Sequence, residues 1–386
     1  MIARFVQATV QIQTLQRLHC ANMHKPVSLL FPLLALLLSL LLVYFLPASF
    51  LINEVWSKGS PDDNASTVGV LKKEALIRKK LLSTPERQVD ELCSELDHTC
   101  FLIIDKVQEV NNKLLAYRGL RRKGPQGVLT LSDARILPPS PLTWRNFNTK
   151  EWKVDKSTIR LEYARLMVAG VFFSGALEFN STEKQDVLMI GLGGGIINNY
   201  LTTMPNRTID VTVVDIDPVM KRIAEKWYDF QPSQHHRIVI DDGIRFIHEA
   251  AKKGIKYDAL LLDVCYNIRR PMMCPIEEFL KDDVISAMRA ITSERGAVIV
   301  NIITTKDGTK EADWVNFLFS RYFPSCYLMA DGEIDRMLFC SAKEKNSWLN
   351  NRDELYNRYV AVDAALGFQL VLKRKFIPND LLPSST

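Results

Sequence analysis

From residue 186 onward, short apolar runs alternate with amphipathic ones, and no other feature of the chain restricts its fold as strongly. DVLMIG leads into a glycine cluster and then a stretch with helical spacing. VTVVDID (211–217) is followed by PVMKRIAEKWYDF, and RIVIDDG (237–243) by IRFIHEAAKK. YDALLLDV (257–264) and GAVIVNI (296–302) continue the series. Segments that are apolar on both faces suit a parallel sheet covered by helices on both sides. LEYARLMVAGVFF (161–173) adds a helical pattern just upstream. The expected class is α/β: a doubly wound, mostly parallel, Rossmann-like sheet with its ligand at the carboxyl ends of the strands.

The turn after the first of these strands carries Gly191, Gly193, Gly194 and Gly195. Glycines there let a ligand come close to the backbone, and the following helix offers free N–H groups. A dinucleotide asks for G-x-G-x-x-G, and Ile196 occupies the last place of that pattern, so the NAD fingerprint fails. Asp215 ends the second strand, where a carboxylate can accept both hydroxyls of a ribose. Asp242 sits in the DDG that ends the third strand and can accept from an adenine amino group. Three successive strand tips then describe a nucleoside site without phosphates, as S-adenosylmethionine or its decarboxylated relative would need.

Upstream, the chain is organised differently. Residues 27–46 carry no charge, and about 20 such residues cross the ~30 Å hydrocarbon core as a helix. We expect a tail at 1–26, a membrane span at 27–47, a stalk at 48–98 and a small β unit at 99–156. The main domain should occupy 157–345, with a C-terminal extension at 346–386. A cleaved signal peptide is the main rival for the span. The acid-free residues before it also suit a mitochondrial presequence. Arg4, Arg17 and Lys25 precede the span, whereas Glu54, Asp62 and Asp63 outnumber Lys58 just after it. That bias leaves the N-terminus in the cytoplasm and the body in a lumen. LKKEALIRKKLL (71–82) reads as a basic amphipathic helix in the stalk, or on a membrane surface. CFLIIDKVQEV and KLLAYRGL, followed by RRKGPQG, read as a hairpin, and PPSP (138–141) as a linker.

Sequons at Asn64, Asn180 and Asn206 permit a lumenal body. Of the six cysteines beyond the span, Cys93 and Cys100 are expected to bridge if that side is oxidising, and Cys265, Cys274, Cys326 and Cys340 are expected as core thiols. No cysteine or histidine spacing suits a metal, and His235–His236 reads as a solvated turn. A net charge of +5 without a basic aromatic stripe gives no case for nucleic acid. A homodimer is compatible with the sequence.

MIGLGGG, VVDIDPVM, DDG and YDALLLDV, in that order, resemble the spermidine-synthase-like branch of the class I methyltransferases. LEYARLMVAG, Trp227, MMCPIEEFL (272–280) and EIDRMLFC (333–340) make the resemblance closest to the methyltransferase-like protein thirteen family, whose C-terminal half belongs to an elongation factor 1-alpha methyltransferase. The likeness spans roughly 100–345. It implies S-adenosyl-L-methionine as cofactor, with Gly191, Gly193 and Gly195 along its methionine part. Asp215 and Ile216 are then placed at the ribose, Asp242 and Gly243 at the adenine, and Asp263 at both the cofactor and the attacking amine. Tyr163 and Tyr266 are expected to line the acceptor pocket.

The polyamine synthases carry D-S-S-D where this chain reads Asp263-Val264-Cys265-Tyr266, followed by Asn267 and Arg269–Arg270. A polycationic substrate needs several carboxylates to replace its water, so aminopropyl transfer ranks third. Methyl transfer to a protein amine ranks first, with elongation factor 1-alpha as acceptor only if the domain is cytosolic. A catalytically inactive interaction module of the same fold ranks second.

Overall fold

The computed structural model describes residues 61–124, 129–266, 268–330, 332, 334–344, 351–373 and 375–381. The expected tail and membrane span, and the stalk up to residue 60, lie outside the described residues. Among the described residues no helix is long and apolar enough to cross a membrane. The chain divides into two compact units, Met1–Leu71 and Lys72–Thr386. Helix α1 (Pro61–Leu82) runs from the first into the second.

In the second unit, five antiparallel strands form a small sheet in sequence order: β1 (Glu86–Cys93), β2 (Cys100–Val110), β3 (Lys113–Arg122), β4 (Thr130–Leu137) and β5 (Lys153–Val154). This sheet begins at Glu86, inside the segment expected as stalk. ERQVDELC escapes a pattern search because only Val89 in it is buried. Ile77 and Leu81 of α1 are buried with Val107, Ala116, Ile136, Leu142 and Trp152. That apolar face covers the sheet and is not free to lie on a membrane.

The larger sheet has the order β12-β13-β11-β9-β6-β7-β8. Strands β6 (Gln185–Ile190), β7 (Ile209–Asp215), β8 (His236–Ile240), β9 (Tyr257–Leu262) and β11 (Thr292–Thr304) are parallel. Strands β10 (Met272–Cys274), β12 (Ser325–Ala330) and β13 (Asp335–Ser341) add an antiparallel side that the expected topology lacked. Along β6, Val187 and Met189 face one core while Leu188 and Ile190 face the other, the two-residue alternation of a sheet covered on both sides. Helices α2 (Glu162–Phe173), α3 (Ile196–Thr203), α4 (Pro218–Trp227) and α8 (Arg352–Leu366) contribute to the first core. Helices α5 (Gly243–Lys252), α6 (Asp282–Ile291) and α7 (Thr309–Ser320) contribute to the second. The chain enters the sheet at β6, walks outward to β8 and returns to β9 on the other side of β6. That reversal opens a crevice at the carboxyl ends of β6 and β9.

A buried ion pair fastens the small sheet to the larger domain. Arg118 donates twice to Asp105, at 2.8 and 2.9 Å, and its remaining donors reach the carbonyls of Thr149 and Trp227. A buried pair of charges is tolerated when such extra hydrogen bonds satisfy it. Asp90 adds bonds from Lys226 and the Trp227 indole. Two further expectations change. His236 is buried, held by Asn198 at 2.7 Å and edge-on to Phe230, so it opens a strand and is not part of a solvated turn. Cys265–Cys274 and Cys326–Cys340 are disulfides, as is Cys93–Cys100. Two of the three pairs are directly opposed residues on neighbouring antiparallel strands. The Cys326–Cys340 pairing stayed invisible while β12 and β13 went unrecognised.

Candidate active site

A cavity of about 440 Å³ opens at the crevice, within the size range of small-molecule sites. The parallel strands build one wall. Gly191 follows β6 with φ +95°, and a Cβ there would stand 2.2 Å from the carbonyl oxygen of Asp263. Gly193 has φ +53°, and its Cβ would meet the Leu131 carbonyl at 2.9 Å. Bare backbone at this turn is therefore demanded first by the protein's own packing, against the chain after β9 and against β4. The Gly194 amide also donates to Ser132 Oγ at 2.7 Å. Gly191 and Gly193 line the cavity, whereas Gly195 starts α3 with φ +82°.

Asp215, at the tip of β7, lines the same wall. It accepts from the amides of Leu192 and Asp217, each at 2.9 Å, one to each carboxylate oxygen. Both oxygens keep a lone pair for a ligand's hydroxyls. Burial pushes its carboxyl up to about 6, against the pull of those two amides. Ile216 beside it is 59% exposed and lines the cavity. An apolar side chain held in the open at a strand tip offers a surface for a flat ring.

Asp242 and Gly243 are not brought to this cavity. The Asp242 carboxylate caps α5, accepting from the amides of Ile244 and Arg245. Gly243 packs under Ile190 and Phe279. An acidic residue at a strand–helix junction satisfies amides that otherwise lack partners, and both amides here share one carboxylate oxygen, Oδ1.

A second group of lining residues, beside the first, is acidic. Asp263 follows β9. Asn301 Nδ2 donates to it at 2.8 Å, and the Tyr163 hydroxyl is its second donor. Burial raises its pKa above the ordinary carboxylate range, with Asn301 and Tyr163 pulling the other way. Tyr163 is driven well above the usual phenol value by burial, by Asp263 and by Asp335. Asp335, the first residue of β13, also lines the cavity and is raised by burial and by Glu162. The side-chain carbonyl of Asn301 is buried without a partner among the described residues. The side-chain carbonyls of Asn198 and Asn199 share that state among the described residues, but Asn301 is the one of the three that lines the cavity, where a ligand can bring an N–H.

Tyr266 lines the cavity too, but its hydroxyl is engaged elsewhere. It donates to Glu278 at 3.1 Å and accepts from the Glu277 amide at 3.2 Å, while Arg270 stacks over its ring at 3.9 Å. Tyr266 and the Cys265–Cys274 bridge clamp the segment after β9. Asp97 and Thr99, from the β1–β2 turn, contribute to the rim with Arg122. Asn301, Asp335 and this rim were missed by the sequence reading. Only Asn301 left a signal, as a polar residue inside GAVIVNI.

No family model matches the chain. It is 29% identical over 197 residues to the eEF1A lysine and N-terminal methyltransferase homolog of Drosophila pseudoobscura pseudoobscura, which covers 50% of this chain and 29% of that one. Its sequence is thus similar to part of a protein named for eEF1A methylation. The polyamine aminopropyltransferase of Vibrio vulnificus is 32% identical over 148 residues, 38% of this chain and 45% of that enzyme. The solved human Methyltransferase-like protein 13 in complex with SAH matches 58% of this chain and 98% of that one, at 24% identity and a TM-score of 0.48. The chain spans less than a third of the length of the eEF1A methyltransferase homolog it matches.

Proposed function

We propose that the domain moves a methyl group from S-adenosyl-L-methionine to an amine nitrogen of a protein. The observation that carries this reading is the buried Asp263, oriented by Asn301 and Tyr163, in the cavity that Asp215 and Ile216 also line. The residues fit the cofactor. Asp215 has acceptor capacity for a ribose diol, Ile216 has apolar surface for an adenine, and the turn at Gly191 and Gly193 has no side chains to obstruct the approach. When bound, the cofactor supplies a methyl group made electrophilic by its sulfonium. Asp263 holds the amine in line and takes its proton, as a positioned base whose raised pKa brings it nearer the operating pH. Asp335 adds a second negative charge, which favours an acceptor that arrives as an ammonium ion. Tyr163 donates to Asp263 and limits its rotation, and the free carbonyl of Asn301 accepts an N–H of the substrate.

The relatives named for eEF1A methylation support an amine of a protein as the acceptor class. Elongation factor 1-alpha itself is an acceptor only for a domain that faces the cytosol. Calorimetry of the purified chain with S-adenosylhomocysteine tests the cofactor half. Binding is expected, and Asp215→Ala should weaken it by roughly 30-fold, about 2 kcal/mol. Absence of binding to the wild type sinks the reading. Transfer of labelled methyl to proteins of an extract tests the rest. Binding without transfer favours the inactive module, and a new polyamine from putrescine and the decarboxylated cofactor favours aminopropyl transfer.

A further inference from the structure

We infer that the domain is N-glycosylated at Asn180 and Asn206, on the end of the sheet away from the cavity, and so works in an oxidising lumen. Asn180-Ser181-Thr182 lies in the loop before β6, and Asn206-Arg207-Thr208 in the turn before β7. Both asparagines and both threonines are exposed. Neither asparagine side chain bonds to a described residue. The two loops are joined, since Arg207 Nε donates to the Phe179 carbonyl at 2.9 Å and its guanidinium lies 5.1 Å from the Phe179 ring. Asn180 borders a polar hollow of about 400 Å³, lined also by Glu178, Thr182, Lys184, Asp258 and Arg295. A sugar carries many hydroxyls, and this is the lining such a group accepts.

Three features converge on that compartment. All six described cysteines are paired, and disulfides persist where the surroundings are oxidising. The uncharged run at 27–46 precedes the domain. Finally, both sequons occupy exposed positions at the amino ends of β6 and β7, while the candidate site occupies the carboxyl ends. Strand β6 has six residues, about 20 Å at the usual rise per residue, so glycans there leave the cavity mouth clear.

In the transfer, Asn Nδ2 forms a bond to the anomeric carbon of a lipid-pyrophosphate-linked oligosaccharide. The bond from that carbon to the pyrophosphate oxygen breaks, lipid pyrophosphate departs, and the amide proton passes to a base of the transferase. The acceptor of any methyl group is then a protein of the same compartment and not a cytosolic factor.

The full chain, expressed in animal cells, is tested with peptide N-glycosidase in an Asn64→Gln background. We expect a mobility shift of two steps. Asn180→Gln should remove one step. Thr208→Ala should remove the other while sparing Asn206, whose φ of +60° makes its own replacement a risk to the turn. Thr182→Ala should reproduce Asn180→Gln. A background protein indifferent to the glycosidase, or a shift that survives both changes, overturns the assignment. Thiol alkylation before and after reduction, in a Cys20→Ser background, gives a second reading, in which the six paired cysteines should react only after reduction; reaction beforehand counts against the lumen. Both readouts are independent of methyl transfer, so they fail or hold separately from the proposed activity.

Discussion

The two walls of the cavity are built by different rules. The wall at Asp215 comes from consecutive pieces of chain: β6, its glycine turn, α3 and β7. The wall at Asp263 gathers Tyr163 from the first turn of α2, Asn301 from within β11 and Asp335 from the start of β13. The first is a local motif that a single strand–turn–helix segment positions. The second is assembled by the register of an antiparallel edge, in which Ile303 faces Asp335 across the β11–β13 pairing. A local wall suits a cofactor that is the same for many relatives, and an assembled wall can change its acceptor by moving one strand.

The sharpest way to separate the walls is Asp263→Asn. It keeps the size and a hydrogen-bonding oxygen but removes the base and its charge. Methyl transfer should fall by about 100-fold or more, with affinity for S-adenosylhomocysteine within about threefold of wild type. A parallel loss of cofactor binding would show that Asp263 belongs to both walls. The next effect belongs to the other wall. Gly191→Ala places a Cβ against the Asp263 carbonyl and imposes a left-handed backbone on alanine. We expect a loss of at least about 2 kcal/mol in urea unfolding, together with lost binding. An unchanged midpoint would mean that the turn adapts and that its glycines serve the ligand alone.

Asp335→Asn should act more mildly. It removes one of two carboxylates near the amine while leaving Asp263, Asn301 and Tyr163 in place. KM for a cationic acceptor should rise about tenfold with kcat little changed, the pattern of lost binding rather than lost chemistry. Cofactor affinity should not move. A fall in kcat alone would instead make Asp335 part of the proton path.

The same division explains what the sequence made visible. Alternating apolar runs disclosed β6 to β9 and β11, because strands covered on both faces keep a short apolar run with few polar positions to interrupt it. Asp215 and Asp263 stood out as acids at the tips of those runs. Asp335 did not, since it meets the cavity only through the pairing of β13 with β11, well upstream in the sequence, and its neighbours give no local sign of a cavity. Asp242 stood out in the same way as Asp215, but its helix-capping role did not: the amides of Ile244 and Arg245 share its Oδ1, and it lies outside the cavity lining. Nothing local in the hairpin segments marks Arg118 and Asp105 as a pair, and only the docked α4 and the 149–151 turn show why they are buried together.

The smallest effect concerns Asp215 in the absence of cofactor. Its carboxyl is raised from 3.8 to about 6 in the folded chain, so the folded state holds this proton more tightly than the unfolded one. The stability linked to that proton is fully present below about pH 4 and is lost as pH rises through 6. A shift of this size corresponds to no more than ~3 kcal/mol, and the open cavity beside the carboxylate should screen it to about 1 kcal/mol. Asp215→Asn loses one of the two amide bonds at every pH but has no proton to release. The wild type minus variant difference in unfolding free energy should therefore decline between pH 4 and pH 6 and be flat above pH 7. A difference that stays constant across the whole range would mean that Asp215 is solvated like a surface acid, and the wall it anchors would then be a poor place to hold a ribose.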